Sequence, residues 1–96
     1  VQARLLPVGE DYVDYAKETA AKLREAGIRV EIDSRDEKLG KKIRDAQLQK
    51  VPYMLVIGAK EKESGGVSVR ERQKGDLGTM TLEGFLELTK TEFNPL

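Results

Sequence analysis

SRDEKLGKKIRDAQLQKVPYMLVIGAKEKESGGVSVRER, residues 34–72, is the stretch that decides the fold. Its first part predicts a basic helix over residues 38–50, which Pro52 ends because proline pushes the preceding residue toward extended geometry. The continuous apolar run at Tyr53–Ile57 is typical of a central strand that is covered on both faces. Residues 63–66 (ESGG) predict a turn. The alternation over residues 67–72 then predicts an antiparallel strand, because the connection is too short for a helical crossover.

The residues before this stretch predict a strand–helix–strand unit. Residues 3–8 (ARLLPV) indicate a short buried strand, and residues 12–26 place apolar side chains on one helical face. Asp11 is predicted to cap the start of this helix, and Gly27 to follow its end. Residues 28–32 alternate as a strand does, so the first two strands are expected to be parallel with a right-handed crossover.

The residues after it predict an edge strand over 75–80 and a last helix capped by Thr81. The apolar face of that helix is predicted to comprise Leu82, Phe85, Leu86 and Leu88. This order of elements predicts a small three-layer α/β/α domain with a mixed, mostly parallel sheet of about five strands and three helices. Residues 1–96 are interpreted as one domain, and the start at Val1 on a strand pattern suggests a piece of a longer protein.

Composition narrows the classes of function. The chain has 17 Lys and Arg against 17 Asp and Glu, and the resulting zero net charge argues against non-specific coating of nucleic acid. It has no Cys and no His, which removes disulfides, thiolate metal sites and the usual general base at neutral pH. No apolar run approaches the ~18 residues that a membrane helix needs, and no signal peptide is visible. A cytoplasmic protein without membrane contact is therefore expected.

The charge is nevertheless uneven, because residues 35–50 carry six basic and three acidic side chains, an excess of +3. The basic residues are Arg35, Lys38, Lys41, Lys42, Arg44 and Lys50. The helix is expected to bury Leu39, Ile43 and Ala46 and to expose Lys41, Lys42, Asp45 and Gln49, with Arg44 at the margin. The basic residues either bind a phosphate backbone or form an ordinary solvated helix face.

The start of this helix has two further features. Free N–H groups at a helix N-terminus attract an anion, but Asp36 and Glu37 are able to cap the same groups. Gly40 inside the helix costs ~1 kcal/mol relative to alanine. Either the close approach of a ligand to the backbone or a packing constraint would explain it.

Glu61 and Arg70 flank the predicted turn and are expected beside the end of one strand. A carboxylate accepts two N–H bonds, which guanine offers on its Watson–Crick edge, and an arginine offers parallel donors to base acceptors or to a phosphate. The pair either reads unstacked bases of an RNA loop or forms a cross-strand ion pair worth ~0–1 kcal/mol.

Catalysis has little support in the sequence. No two carboxylates are spaced so that they share a cleft, and the glycines at 65–66 and 75–78 do not link a strand to a helix start as a phosphate loop does. Tyr12, Tyr15 and Tyr53 either stack on bases or pack in the core, and their positions favour packing. Binding is therefore the favoured class of function.

Two long segments carry a resemblance to a known family. REAGIRVEIDSRDEKLGKKIRDAQLQKVPYMLVIGAKE (residues 24–61) and GGVSVRERQKGDLGTMTLEGFLE (residues 65–87) closely resemble the C-terminal anticodon-binding domain of bacterial threonyl-tRNA synthetases. The strand–helix–strand start with GIRV and the KIR helix is shared with the prolyl, histidyl and glycyl enzymes. The pattern EKLGxKIR…QLQKVPYMLVIG…KE…VSVR…GDLGTM is similar to the threonyl enzymes in particular, and the resemblance covers essentially the whole chain.

The resemblance implies a domain that grips a tRNA anticodon stem-loop and reads the guanine and uracil at the second and third anticodon positions. By similarity, Glu61 and Arg70 match base-contacting positions, and Lys38 and Arg44 match basic positions of the same surface. Asp36 matches a position where the family often carries Asn. Because an ionised Asp only accepts hydrogen bonds, both a base contact and a helix-capping role stay open for it. The predicted RNA-binding residues are Glu61, Arg70, Lys38, Arg44, Asp36 and Arg35.

The resemblance further implies a larger parent, a class II synthetase that ligates threonine to its tRNA with ATP and holds zinc in its catalytic domain. No catalytic residue, cofactor or metal is expected in this chain. The expected partners are the tRNA anticodon loop and the parent's catalytic domain, with a monomeric chain and a homodimeric parent. Two alternatives stay open: an interaction or regulatory domain that has lost tRNA reading, and a small stand-alone α/β enzyme for which no nucleophile–base pair can be named.

Overall fold

A computed structural model describes residues 1–93, which form five strands and four helices. In chain order they are β1 (Ala3–Pro7), α1 (Val13–Glu25), β2 (Val30–Ile32), α2 (Leu39–Leu48), β3 (Tyr53–Ile57), α3 (Ala59–Ser64), β4 (Gly66–Glu71), β5 (Gly75–Thr81) and α4 (Leu82–Phe93). A 3-10 turn at Glu10–Tyr12 leads into α1. All four predicted strands between residues 3 and 72 and the predicted edge strand are confirmed, and α3 is an addition.

The strands form one mixed sheet in the order β2-β1-β3-β4-β5. β1 pairs in parallel with both β2 and β3, whereas β3 with β4 and β4 with β5 are antiparallel pairs. The central position of β3 and the five-stranded mixed sheet are confirmed. The sheet is less parallel than predicted, because its antiparallel pairings are as many as its parallel ones.

Side chains that alternate along the strands divide the core between the two faces of the sheet. Leu5 of β1 and Leu55 of β3 belong to a cluster with α1 and α4, and Leu6 and Met54 belong to a second cluster with α2. The predicted three layers are thereby confirmed. Among the described residues the second cluster takes no member from β4 or β5. The α2 side of those two strands is therefore an open sheet face.

Two of the predicted helix boundaries are confirmed and one is wrong. Gly27 has a φ of +87°, and Ile28 donates its N–H to the carbonyl of Leu23 at 3.0 Å, as expected after a helix end. The Thr81 hydroxyl accepts the N–H of Gly84 at 3.0 Å and so caps α4. Asp11 does not cap α1, because it lies in the 3-10 turn and the helix starts after Tyr12 without a side-chain cap.

The short helix α3 lies mostly before the turn predicted at residues 63–66 and takes in its first two residues, Glu63 and Ser64. Glu61 returns to accept the backbone N–H of Gly58, and Gly65 ends the helix with a φ of +75°. Six residues are too few to show an apolar period, so the only sequence signal was a carboxylate three residues after the N-cap glycine.

The apolar face of α4 also differs from its prediction. Phe85 is fully buried and Leu82 and Leu86 pack against the same cluster, but Leu88 is 46% exposed. Thr89 is buried instead, and its hydroxyl donates to the carbonyl of Phe85 at 2.9 Å. The local bond satisfies that hydroxyl, so a polar residue occupies a core position at no great cost.

Candidate nucleic-acid interface

The carboxyl ends of β1 and β3 are the natural ligand site of this sheet. The chain leaves β1 toward β2 and leaves β3 toward β4, so the two strands flank a topological switch point. A cleft of about 650 Å³ lies beside this point, between the loop after β1, the start of α1 and the loop before α2. Its lining consists of Val8, Gly9, Glu10, Val13, Asp14, Lys17, Ser34, Arg35, Asp36, Glu37 and Lys42.

Glu61 is held at the end of β3. Its side chain is buried, with 8% of the residue exposed, and its Oε1 accepts the backbone N–H of Gly58 at 2.7 Å. Its second carboxylate oxygen accepts no hydrogen bond within the described part of the chain. One oxygen thus fixes the direction of the carboxylate, and the other is left for a ligand that carries N–H donors.

Lys42 is buried, with 3% exposed, which contradicts its predicted place on the exposed face of the helix. Its Nζ donates to the carbonyl oxygen of Pro7 at 2.8 Å. Asp33 donates its N–H to Leu5 at 2.9 Å, and the next carbonyl on that side of β1 is that of Pro7, two residues on. β2 has ended by then, so Lys42 supplies the donor that the sheet lacks.

Arg35 ties the loop before α2 to the helix. Its Nε and Nη2 donate to the two carboxylate oxygens of Asp33 at 2.8 and 2.7 Å, and Nη2 also donates to Asp45 at 2.9 Å. These bonds use three of its five N–H donors. The hydrogen bonds from Arg35 lower the pKa of both Asp33 and Asp45 below the ordinary value of 3.8.

Replacing Arg35 with glutamine is expected to destabilise the domain in a pH-dependent way. The folded pKa of Asp33 lies below its unfolded value, so the stabilisation is fully present above the unfolded value of 3.8 and is lost as pH falls through the folded pKa. Urea unfolding of both proteins between pH 7 and pH 2 measures this. The stability gap should be constant down to about pH 5 and then close. A gap that persists unchanged at pH 2 would show that the ion pairs are not its cause.

Asp36, Lys38 and Arg44 are exposed. Lys38 is the N-cap residue of α2, no side chain caps this helix, and its first turn contains no acid. The capping role considered for Asp36 and Glu37 is therefore wrong, and Asp36 lies on the lining of the cleft instead. Lys38 adds a positive charge at the start of the helix, and Arg44 adds one on its outer face.

Gly40 lies in α2 without a packing constraint. A Cβ built on it meets no heavy atom within 4 Å, which removes the packing explanation. The other explanation, that a ligand approaches the backbone closely at Gly40, remains a prediction.

Replacing Gly40 with alanine should raise the free energy of unfolding by about 0.5–1 kcal/mol, since alanine loses less backbone entropy in a helix. Chemical denaturation of both proteins checks this value. A loss of RNA affinity in the stabilised variant would indicate that RNA approaches the backbone here. A destabilised variant would contradict the open space around this residue.

Arg70 lies on the open sheet face, half-buried, opposite Met54 of β3 and Asp76 of β5. Its Nε is buried and has no hydrogen-bond partner among the described residues. A buried donor without an acceptor costs free energy, and a ligand would satisfy it only if the side chain turned to bring Nε to the surface.

Glu61 and Arg70 do not lie beside the same strand end. Arg70 pairs with Met54, near the start of β3, whereas Glu61 binds Gly58, just after its end. Four residues of a strand separate these levels by roughly 13 Å. The ion-pair interpretation is wrong, because the ion pairs of the described residues join Arg4 to Glu31, Arg35 to Asp33 and Asp45, and Lys41 to Asp45.

The three tyrosines pack in or against the core, as favoured. Tyr53 is 5% exposed and meets Phe85 edge-on at a ring distance of 5.5 Å. Tyr12 and Tyr15 pack against the same cluster, and the Tyr15 hydroxyl donates to the carbonyl of Gly66 at 2.9 Å.

None of the described helices has the length and hydropathy to span a bilayer. Residues 1–93 bring together no cluster of three acidic side chains suited to a metal ion.

The fold and this surface define a class: a small α/β domain with a cleft beside the carboxyl ends of its parallel strands and an open face on the antiparallel part of its sheet. The family described as "Anticodon binding domain" matches residues 2–92. The chain belongs to this family.

Its relatives point to one group of enzymes. A "Threonine--tRNA ligase" of Thermus thermophilus is 55% identical over 93 residues, which cover 97% of this chain and 14% of the relative. One of Clostridium botulinum is 54% identical over 92 residues, with 96% and 14% covered. The chain thus spans 14% of the length of these relatives. The solved RNA-binding domain of threonyl-tRNA synthetase from Cryptosporidium parvum superimposes with a TM-score of 0.88 at 33% identity, covering 94% of this chain and 23% of that one.

Proposed function

We propose that this chain is the anticodon-binding domain of a threonine–tRNA ligase and that it reads bases of the tRNA anticodon loop. The observation that carries the proposal is the position of the Glu61 carboxylate. A carboxylate that is buried just after the end of β3, with one oxygen fixed by Gly58 and one open, suits a base that presents adjacent N–H donors. Guanine is the RNA base with two such donors on its Watson–Crick edge.

Arg70 supports reading of a second base. It lies roughly 13 Å from the Glu61 level, on the open sheet face, and its Nε lacks a partner among the described residues. Splayed bases of a single-stranded loop are several ångströms apart, which supports contacts of the two residues with different nucleotides. The guanine at the second anticodon position fits Glu61 and the uracil at the third fits Arg70.

The remaining predicted residues would contribute contacts with the RNA around Glu61 and Arg70. Lys38 and Arg44 are exposed cations suited to loop phosphates, and Arg35 retains its Nη1 group for the same purpose while it orders the loop. Asp36 lies on the cleft and, as an ionised carboxylate, would accept from a base N–H. With so few phosphate contacts, affinity for RNA should depend only moderately on salt.

In the parent, threonine and ATP would be handled by a separate catalytic domain, which would also hold the zinc, act in the cytoplasm and form the homodimer. This chain would contribute recognition of the correct tRNA. The interaction-domain alternative is disfavoured, because Glu61 and Arg70 are both present and keep unused hydrogen-bonding capacity.

The test is binding of this chain to a threonine anticodon stem-loop and to the same loop with its middle guanine changed to adenine, each at low and at physiological salt. A guanine preference that survives added salt is the expected result, because the base contact is not a counterion effect. Equal, salt-sensitive binding to both loops would show that only the basic residues are engaged. No binding at either salt would contradict the proposal for this chain.

A further inference from the structure

Three uncharged side chains form a row across the open sheet face. Val67 and Val69 of β4 are buried in the cluster with α1 and α4, so Ser68 between them faces the other side of the sheet. Ser68 pairs with Val56 of β3 and with Thr79 of β5, which places all three side chains on that open face. We call these three residues the neutral row.

The neutral row lies between the levels of Glu61 and Arg70. The carbonyl of Ile57 accepts the N–H of Val8 on the β1 side, so the next N–H, that of Gly58, points toward β4. The Glu61 carboxylate binds this N–H and therefore lies on the β4 side of the strand end. Along β3, the neutral row is two residues before Gly58 and Arg70 is two residues further, so roughly 7 Å separates the row from each level. An RNA strand that contacts both Glu61 and Arg70 crosses the neutral row.

The two hydroxyls of the neutral row are not used by the fold. Among the described residues, neither Ser68 nor Thr79 has a hydrogen-bond partner for its hydroxyl. Ser68 is half-buried and Thr79 is exposed. Each hydroxyl both donates and accepts, so the pair is available to a ligand that does the same.

The chemistry of the neutral row suits a sugar better than a phosphate. A phosphate would find no cation within the row, whereas a ribose is uncharged. Val56 is half-buried and offers an apolar surface to the carbon atoms of the ring, and the two hydroxyls match the 2′-hydroxyl, which also donates and accepts. Along an RNA strand, the ribose of the second anticodon nucleotide lies between the base placed at Glu61 and the next base, placed at Arg70.

We infer that Ser68 and Thr79 hydrogen-bond the 2′-hydroxyl of the second anticodon nucleotide and thereby select RNA over DNA at this position. The inference rests on the proposed function and adds a positioning role to it, because a ribose held on the neutral row sets how far apart the two bases lie. Contacts to the base alone do not distinguish a ribonucleotide from a deoxyribonucleotide, and the 2′-hydroxyl is the group that does.

The experiment measures binding of this chain to threonine anticodon stem-loops that differ in one sugar. One loop carries a 2′-deoxyribose at the second anticodon nucleotide, and a control carries it in the stem. The unsubstituted chain should bind the first loop about three- to tenfold more weakly than the all-RNA loop, the scale of a hydrogen bond between neutral groups. The stem substitution should leave binding unchanged.

The double variant Ser68→Ala with Thr79→Val removes both hydroxyls and keeps side chains of similar size. It should bind the all-RNA loop and the deoxy loop equally and keep the guanine-over-adenine ratio, which also shows that it is folded. The matched control is Ser68→Thr with Thr79→Ser, which retains two hydroxyls and should keep the deoxy penalty. A penalty that persists in the hydroxyl-free variant would overturn the inference, because it would come from the altered sugar conformation.

The failure of this inference is distinguishable from that of the proposed function. Equal binding of the all-RNA and deoxy loops by the unsubstituted chain would overturn the 2′-hydroxyl contact without any variant. If the hydroxyl-free variant then bound both loops more weakly, the hydroxyls would contact a phosphate instead. A guanine preference retained in these cases would leave the proposed function intact, whereas an absence of any guanine preference would overturn both proposals.

Discussion

Replacing Glu61 with alanine is expected to remove most of the guanine preference, a loss of about 1–3 kcal/mol, on the scale known for bidentate base readout. The carboxylate is the acceptor at the end of β3, and its direction is fixed by the 2.7 Å bond to Gly58. An alanine leaves the guanine N–H groups without an acceptor in a partly desolvated site, which costs more than a lost surface contact. The measurement is the ratio of dissociation constants for the guanine and adenine loops.

Glu61 also caps α3, so its two roles must be separated. Loss of the cap should lower the free energy of unfolding by about 1 kcal/mol in Glu61→Ala. Glu61→Gln is the control, because its side-chain oxygen still accepts from Gly58 while its amide cannot accept two base N–H groups. It should retain the stability and lose most of the preference. A full guanine preference in both variants would remove Glu61 from the site.

The main architecture was predictable because local patterns and tertiary packing agree. The apolar run Tyr53–Ile57 is the central strand, and Gly27 follows the end of α1 in the left-handed conformation that glycine adopts easily. The end predicted for the second helix is wrong, because α2 stops at Leu48 and the chain turns at Lys50, with a φ of +58°, before it reaches Pro52. α3 escaped prediction because its six residues contain no apolar side chain that would mark a buried face beyond Ala59. Its stability comes from the Glu61 cap and from tertiary context.

Lys42 shows why part of the site could not be predicted. Residues 39, 42, 43 and 46 fall on one face at helical spacing, so its position was a core position all along. The charge of the side chain suggested exposure, since lysine is almost never fully buried. The reason for its burial, a carbonyl left unpaired where β2 ends, exists only once the sheet has formed.

The positions of Arg35 and Arg70 also depend on tertiary structure that the sequence pattern does not show. Charge alone grouped Arg35 with the other basic residues, but its guanidinium is held by Asp33 and Asp45, and only the folded loop brings Asp45 within reach. Arg70 was expected next to Glu61 because the two are close in sequence. The antiparallel register instead carries Arg70 back to the other end of β3.

Replacing Phe85 with alanine should have the largest effect on stability, a loss of about 3–5 kcal/mol in the free energy of unfolding. The ring is fully buried and meets the edge of Tyr53 at 5.5 Å, with an interplanar angle of 82°. Its removal leaves a cavity between α4 and the sheet as well as lost apolar burial. Domains are typically stable by only about 5–15 kcal/mol, so this variant should be near the limit of folding. Urea denaturation measures the loss.

Leu88→Ala is the matched control on the same helix. Leu88 shares the helical pattern that suggested a core role for both residues, yet it is 46% exposed, so the change should cost no more than about 0.5 kcal/mol. The packing of α4 therefore predicts a large difference between the two variants in the free energy of unfolding. Similar losses of stability in both variants would contradict this packing, because they would mean that Leu88 is buried against the sheet as Phe85 is.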